Sequence, residues 1–207
     1  MALTTYAGLK ASVASWLKRS DLTSNIPDLI TLAEARIARD LRIRNQLTFT
    51  TLSTTANIDY VALPSDFLEI ENISVTSGAG VERALTYQTP EQLDARFPSG
   101  GSTDEPAVYT IMGQRLYLGP TPDAVYSLPF KYYARFSALS ADADTNWLLT
   151  NHPSVYLFAT LAEAAPFTFE DERAALWEAK YQADMKRLQD TDDEGLRSGS
   201  VLRVRYL

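Results

Sequence analysis

The chain has 207 residues, 45% of them hydrophobic and 22% charged, enough for one sizeable core or two small ones and too apolar for a disordered chain. A net charge of −7 argues against a protein that coats nucleic acid. The absence of cysteine excludes a disulfide framework, a thiolate nucleophile and a cysteine-ligated metal.

The first fifth of the chain reads as helix. Residues 5–19 place Leu9, Val13, Trp16 and Leu17 at helical spacing and leave Lys10, Lys18 and Arg19 for the other face. A polar linker, Ser20–Asn25, precedes Pro27, which suits a first helical turn because its missing N–H has no partner there anyway. Ile30, Ala33, Ile37 and Leu41 then form an apolar stripe. Arg36, Arg39, Arg42 and Arg44 cluster at the end of this helix and its exit. They offset the helix dipole, and they are candidates for contact with phosphate or an acidic partner.

At Gln46 the period changes to two, the signature of half-buried strands. QLTFTTLST, NIDYVALP and DFLEIENISVTS read as strands, and Ser77, Gly78, Ala79 and Gly80 as a hairpin tip before VERALTYQ. TPEQLDARF is a short helix, with Thr89 and Gln92 spaced as a capping box. PAVYTIMGQRLYLGP turns near Gly113–Gln114, and YSLPFKYYARFSAL is a last long strand that Pro129 assigns to an edge or bulge. Six or seven strands are expected between residues 46 and 137.

Helix returns at NHPSVYLFATLAEAAPF. Asn151 or His152 suits its cap, Pro153 its first turn, and its apolar residues run nearly all round, which predicts a central helix. The final helix is expected to run to about Gln189. It carries two apolar stripes: Leu176, Ala179 and Ala183, and Trp177, Tyr181, Met185 and Leu188. Two stripes exceed what one packing contact needs, so Trp177, Tyr181, Met185 and Leu188 are candidates for a subunit interface. Burial in their own bundle is the plainer alternative.

The fold class this predicts is α+β, a helical bundle of N- and C-terminal helices with an inserted antiparallel β domain. The bundle takes residues 1–45 and 146–190, the β domain 46–137, a linker 138–145 and an extended tail 191–207.

Chemistry is hard to find in this sequence. His152, the single histidine, has no nucleophile elbow or H-E-x-x-H pattern around it, and its place before Pro153 suits a cap or a surface residue. Asp142 and Asp144, and the run Asp190, Asp192, Asp193 and Glu194, lack the glycine and terminal glutamate of a calcium loop and read as solvated linkers. No catalytic residue, metal site or cofactor is expected. The N-terminus lacks the basic start of a signal peptide, and Val155–Phe167 carries Glu163 and falls short of the roughly 18 apolar residues of a membrane span, so a soluble, unexported chain without membrane contact is expected. The C-terminal run differs in kind. Leu196, Arg197, Val201, Leu202, Arg203, Val204, Arg205, Tyr206 and Leu207 combine apolar and basic side chains, a composition suited to docking in a groove or adding a strand to a partner.

Four segments together resemble the head-to-tail connector proteins of tailed bacteriophages, the adaptor type of short-tailed phages: IPDLITLAEARIARDLR, YVALPSDFLEIENISV, YTIMGQRLYLGPTPDAVYSLPFKYYARFSAL and NHPSVYLFATLAEAAPFTFEDERAALWEAKYQADMKRL. The resemblance implies a non-enzymatic virion protein at the head–tail junction, present in the host cytoplasm during assembly. It implies twelve copies in a ring docked under the portal protein, with a tail or nozzle protein below and genomic DNA passing through without sequence-specific binding. The isolated chain can be a monomer until a portal is present. Carried onto this sequence, the resemblance makes Leu196–Leu207 the portal-docking tail and Ser77–Gly80 part of the tail-facing side. The alternatives are a head- or tail-completion protein, a cell-wall-degrading hydrolase with a desolvated carboxylic acid in a cleft, and a nucleic-acid module in which Arg36, Arg39, Arg42 and Arg44 form an exposed stripe.

Overall fold

The computed structural model describes residues 3–19, 21–78, 80–98, 101–167 and 173–198. In chain order its elements are α1 (Tyr6–Leu17), α2 (Ile26–Asp40), β1 (Leu47–Ser53), β2 (Tyr60–Ala62), β3 (Phe67–Thr76), β4 (Glu82–Ala84) and β5 (Thr86–Tyr87). There follow α3 (Pro90–Arg96), β6 (Val108–Met112), β7 (Arg115–Gly119), β8 (Ser127–Ala134), α4 (Trp147–Asn151), α5 (Pro153–Glu163) and α6 (Arg173–Ser198). The fold is α+β, with helices at both ends of the chain around a largely antiparallel β region. Contacts divide it into two compact units, residues 1–44 with 136–207, and residues 45–135.

The helical unit forms around α5, which packs against α1, α2, α4 and α6 as its all-round apolar surface requires. Leu9, Val13, Ile30, Ala33, Tyr156 and Leu161 share one core with Trp177, Tyr181, Met185 and Leu188 of α6. Thr5 caps α1 by accepting from the Gly8 N–H at 3.2 Å. Pro27 lies in the first turn of α2 as expected.

Two readings of this unit need correction. Residues 138–145 are not a free linker: the Asp144 and Asp142 carbonyls accept the N–H groups of Tyr6 and Ala7 at 2.9 and 3.1 Å. They thereby satisfy donors that the start of α1 leaves open. The Asp144 carboxylate holds this loop in shape by accepting from the Ala141 and Ser140 N–H groups, which keep its pKa below the ordinary value. The second correction is the length of α6. It passes Gln189 and continues to Ser198, so residues 191–198 are helical and not an extended tail.

The β unit contains two four-stranded sheets, ordered β1-β8-β3-β4 and β2-β7-β6-β5. Ile73, Val75, Leu116, Leu118, Leu128, Phe130 and Tyr132 fill one core between them. All pairings are antiparallel except β5 with β6. Along β8 burial alternates strictly, placing Leu128, Phe130, Tyr132 and Ala134 inside and Pro129, Lys131 and Tyr133 on the outer face. The turn from β6 to β7 contains Gly113 at φ 61°, a left-handed conformation that glycine adopts at no steric cost.

Pro129 does not mark an edge strand, because β8 lies between β1 and β3. The β3–β8 register passes from Ile73–Phe130 to Thr76–Ser127, and Pro129 falls in the interval where no pair forms. The proline is tolerated because the ladder is interrupted there. The helix α3 bears the full capping box of Thr89 and Gln92. A Cβ at Gly119 would approach Phe97 to 2.6 Å and Leu93 to 2.8 Å, so glycine is what allows α3 and its end to pack on β7.

Candidate assembly surfaces

The arginine cluster of α2 does not form an exposed stripe. Arg36 donates to Glu178 at 2.5 Å, approaches Glu163 at 3.4 Å and Asp40 at 3.8 Å, and lies 4.4 Å above the Tyr181 ring. Its hydrogen bond to Glu178 raises its own pKa and lowers that of Glu178. Arg42 donates to the Ala38 and Leu41 carbonyls, satisfying acceptors at the end of α2. Arg44 pairs with Asp192 through its side chain at 2.9 Å and its backbone N–H at 3.0 Å. Arg39 alone of the four is exposed without such a contact among the described residues. The candidates for phosphate or acidic-partner contact thus reduce from four to one, because a helix docked against other helices meets their carboxylates first.

Trp177, Tyr181, Met185 and Leu188 are corrected in the same way. They are 1%, 0%, 4% and 7% exposed, and the Tyr181 hydroxyl donates to Asp40 at 2.9 Å. Their partners are α5 and α2 of the same chain. The other stripe, Leu176, Ala179 and Ala183, remains exposed, with Leu176 at 53%.

The acidic run Asp190–Glu194 belongs to α6. Asp192 anchors it to Arg44, whose guanidinium leaves no room for a Cβ at Gly195. The portal-docking candidates divide at the end of this helix. Leu196 and Arg197 lie on its backbone, and Val201, Leu202, Arg203, Val204, Arg205, Tyr206 and Leu207 lie outside the described residues. At the candidate hairpin the Ser77 N–H donates to Val81 and the Gly80 N–H to Ser77, both at 2.9 Å. Gly80 takes φ 75°, Gly78 occupies the turn, and Ala79 lies outside the described residues.

His152 is the backbone cap residue of α5 but makes no side-chain cap bond; its ring lies 5.2 Å from that of Trp147. The cap sequence reasoning missed is Asn146, whose Oδ1 accepts from the Leu149 N–H while its amide donates to the Ser137 carbonyl and the Tyr156 hydroxyl. Tyr156 in turn donates to Glu34 at 3.4 Å, and the Leu139 N–H donates to the same oxygen at 3.0 Å. Burial raises the Glu34 pKa, against the lowering effect of those two donors. This is a desolvated carboxyl, yet its contacts brace the loop before α4 and present no reacting pair. Among the described residues no group of three His, Asp or Glu side chains could hold a metal ion.

The outer face of the first sheet offers a different surface. Phe49 is 74% exposed, with the Lys131 ammonium 5.4 Å above its ring. An open groove of about 330 Å³ runs beside them past Pro129 and Ser74 to Glu82.

The model of the SU10 adaptor protein family matches residues 4–205. The chain belongs to this family of phage head-to-tail adaptors. No curated protein matches it. A structural, adaptor role fits what the two units contain, since their charged and aromatic side chains serve packing and contact surfaces.

Proposed function

We propose that the chain is a non-enzymatic head-to-tail connector of a phage virion, forming a ring of twelve copies beneath the portal protein. The ring continues the DNA channel and attaches the tail or nozzle protein. The observation that carries this reading is the adaptor-family match across both units, residues 4–205.

The chemistry of the chain agrees with it. The net charge of −7 lets genomic DNA slide past without adhering, wherever acidic side chains line its path. With Arg36, Arg42 and Arg44 engaged inside the helical unit, no arginine stripe competes for phosphate. No described helix is long and apolar enough to cross a membrane, in keeping with a virion protein that assembles in the host cytoplasm. Leu196–Leu207 docks to the portal through its apolar and basic residues, and the hairpin Ser77–Gly80 contributes to the tail-facing side.

The test is capture of the chain by the portal protein of the same phage, imaged by negative stain, with the full chain compared to one ending at Ser198. Truncation there leaves α6 whole, where a cut at Asp193 removes its last turn. Rings under the portal that weaken on truncation are expected. Binding that survives truncation retains the connector and removes the docking role of residues 199–207. A folded full-length chain that does not bind the portal points to a head- or tail-completion protein at another position.

A further inference from the structure

Sheet edges expose unpaired N–H and C=O groups, and proteins blunt them with short strands, charges, proline or bulges. Three of the four edges in the β unit are short: β4 and β2 have three residues and β5 has two. The fourth, β1, has seven residues, LTFTTLS, with no charge, proline or glycine. Its register with β8 runs through seven consecutive pairs without a shift. Among the described residues no other backbone group pairs with its free side. Phe49, the most exposed large apolar side chain described, stands on this strand.

The opposite edge of the same sheet, β4, is exposed at all three residues. Glu82 on it accepts from the Ser74 hydroxyl and forms no ion pair among the described residues. Lys131, one strand in from β1, likewise forms none and lies over the Phe49 ring. Both charges border the groove on the outer face. Among the described residues the sheet therefore carries a cation without an ion pair one strand in from its β1 edge and an anion without one on its β4 edge, on the same face.

Strand direction completes the match. The four strands alternate, since β1, β8, β3 and β4 pair antiparallel in turn. An even number of alternating strands means that a second sheet laid beside the first in the same orientation meets it antiparallel. We infer that β1 of one copy pairs with β4 of the next, joining the copies edge to edge, with Phe49 covering Ala84 of the next copy and Lys131 facing its Glu82. The contact is heterologous, the kind that closes into rings. Two strand spacings and the two-residue offset from Ala84 to Glu82 put the Lys131 and Glu82 backbones about 12 Å apart across the junction, within the combined reach of their side chains. The backbone ladder is short, so the side chains decide whether it holds. This inference rests on the ring proposed above and names one of its joints.

The experiment compares ring yield on the portal for the full chain and for Lys131→Glu, Glu82→Lys and the double variant, with thermal unfolding checking that each is folded. Each single reversal sets like charges against each other and is expected to lower ring yield at least tenfold. The double variant restores the opposite pair and is expected to regain most of the yield. Phe49→Lys, exposed and remote from the core, is expected to lower it as much as the single reversals. Rings that form equally well from all variants, or a double variant no better than the singles, overturn the edge pairing and leave the connector standing. A wild-type chain that makes no ring on the portal overturns both.

Discussion

Arg36 in the helical unit and Lys131 in the β unit are both cations beside an aromatic ring, 4.4 Å from Tyr181 and 5.4 Å from Phe49. Their surroundings are opposite. Arg36 is enclosed by Glu178, Glu163 and Asp40, and the ring beneath it is fully buried. Lys131 forms no ion pair among the described residues, and its ring is mostly exposed. The difference describes the two units. The helical one uses its charges to fix its own helices across long sequence separations, as Asp192 also does with Arg44. The β one leaves charge and apolar surface on a sheet face and edge, where another chain can use them.

Four measurements sharpen or break this contrast. The largest effect is expected from Trp177→Ala, which empties the centre of the helical core and costs about 3–5 kcal/mol in denaturant unfolding. A loss near zero would return Trp177 to the subunit interface and cancel the contrast. Gly119→Ala comes next, since the added methyl meets Phe97 and Leu93; about 1–3 kcal/mol is expected.

Arg36→Ala is expected to cost about 1–2 kcal/mol, between the ranges for exposed and buried ion pairs, because its carboxylate partners are partly exposed. Lys131→Ala, by contrast, should stay within about 0.5 kcal/mol of the parent, as surface changes do. Equal losses for the two would remove the distinction between an internal brace and a free surface charge.

The smallest effect concerns pH. Burial sets the folded Glu34 carboxyl above its ordinary value of 4.5, so its ionisation opposes folding. The stability tied to its neutral form is fully present below about 4.5 and is lost as pH rises through the raised folded value. Glu34→Gln keeps an acceptor for the Leu139 N–H and should flatten that slope, read as thermal midpoint against pH. A slope unchanged by the substitution would assign the pH dependence to another group.

Much of the fold was legible because its signals are local. The Thr89–Gln92 box, the Gly113 turn, the alternation along β8 and the all-round apolar surface of α5 each depend on a few neighbouring residues and backbone rules. What was not legible depended on distant partners. Asp142 and Asp144 look like solvated linker until Tyr6 and Ala7 arrive from the start of the chain. Arg36 looks like a surface cation until Glu178 does. The two stripes of α6 cannot be ranked from periodicity, since either could face α5, and the one with the larger side chains fills the core. Asn146 was within reach of sequence, as a cap residue directly before an apolar run, but His152 and Pro153 drew the helix start six positions later.

The adaptor role is tested most directly by a cryo-electron microscopy map of the head–tail junction of the particle that contains this chain. The account expects repeated density for both units directly beneath the portal, around the DNA path and in contact with the tail below. Density for another protein in that position, with this chain located elsewhere in the particle or missing from it, would contradict it.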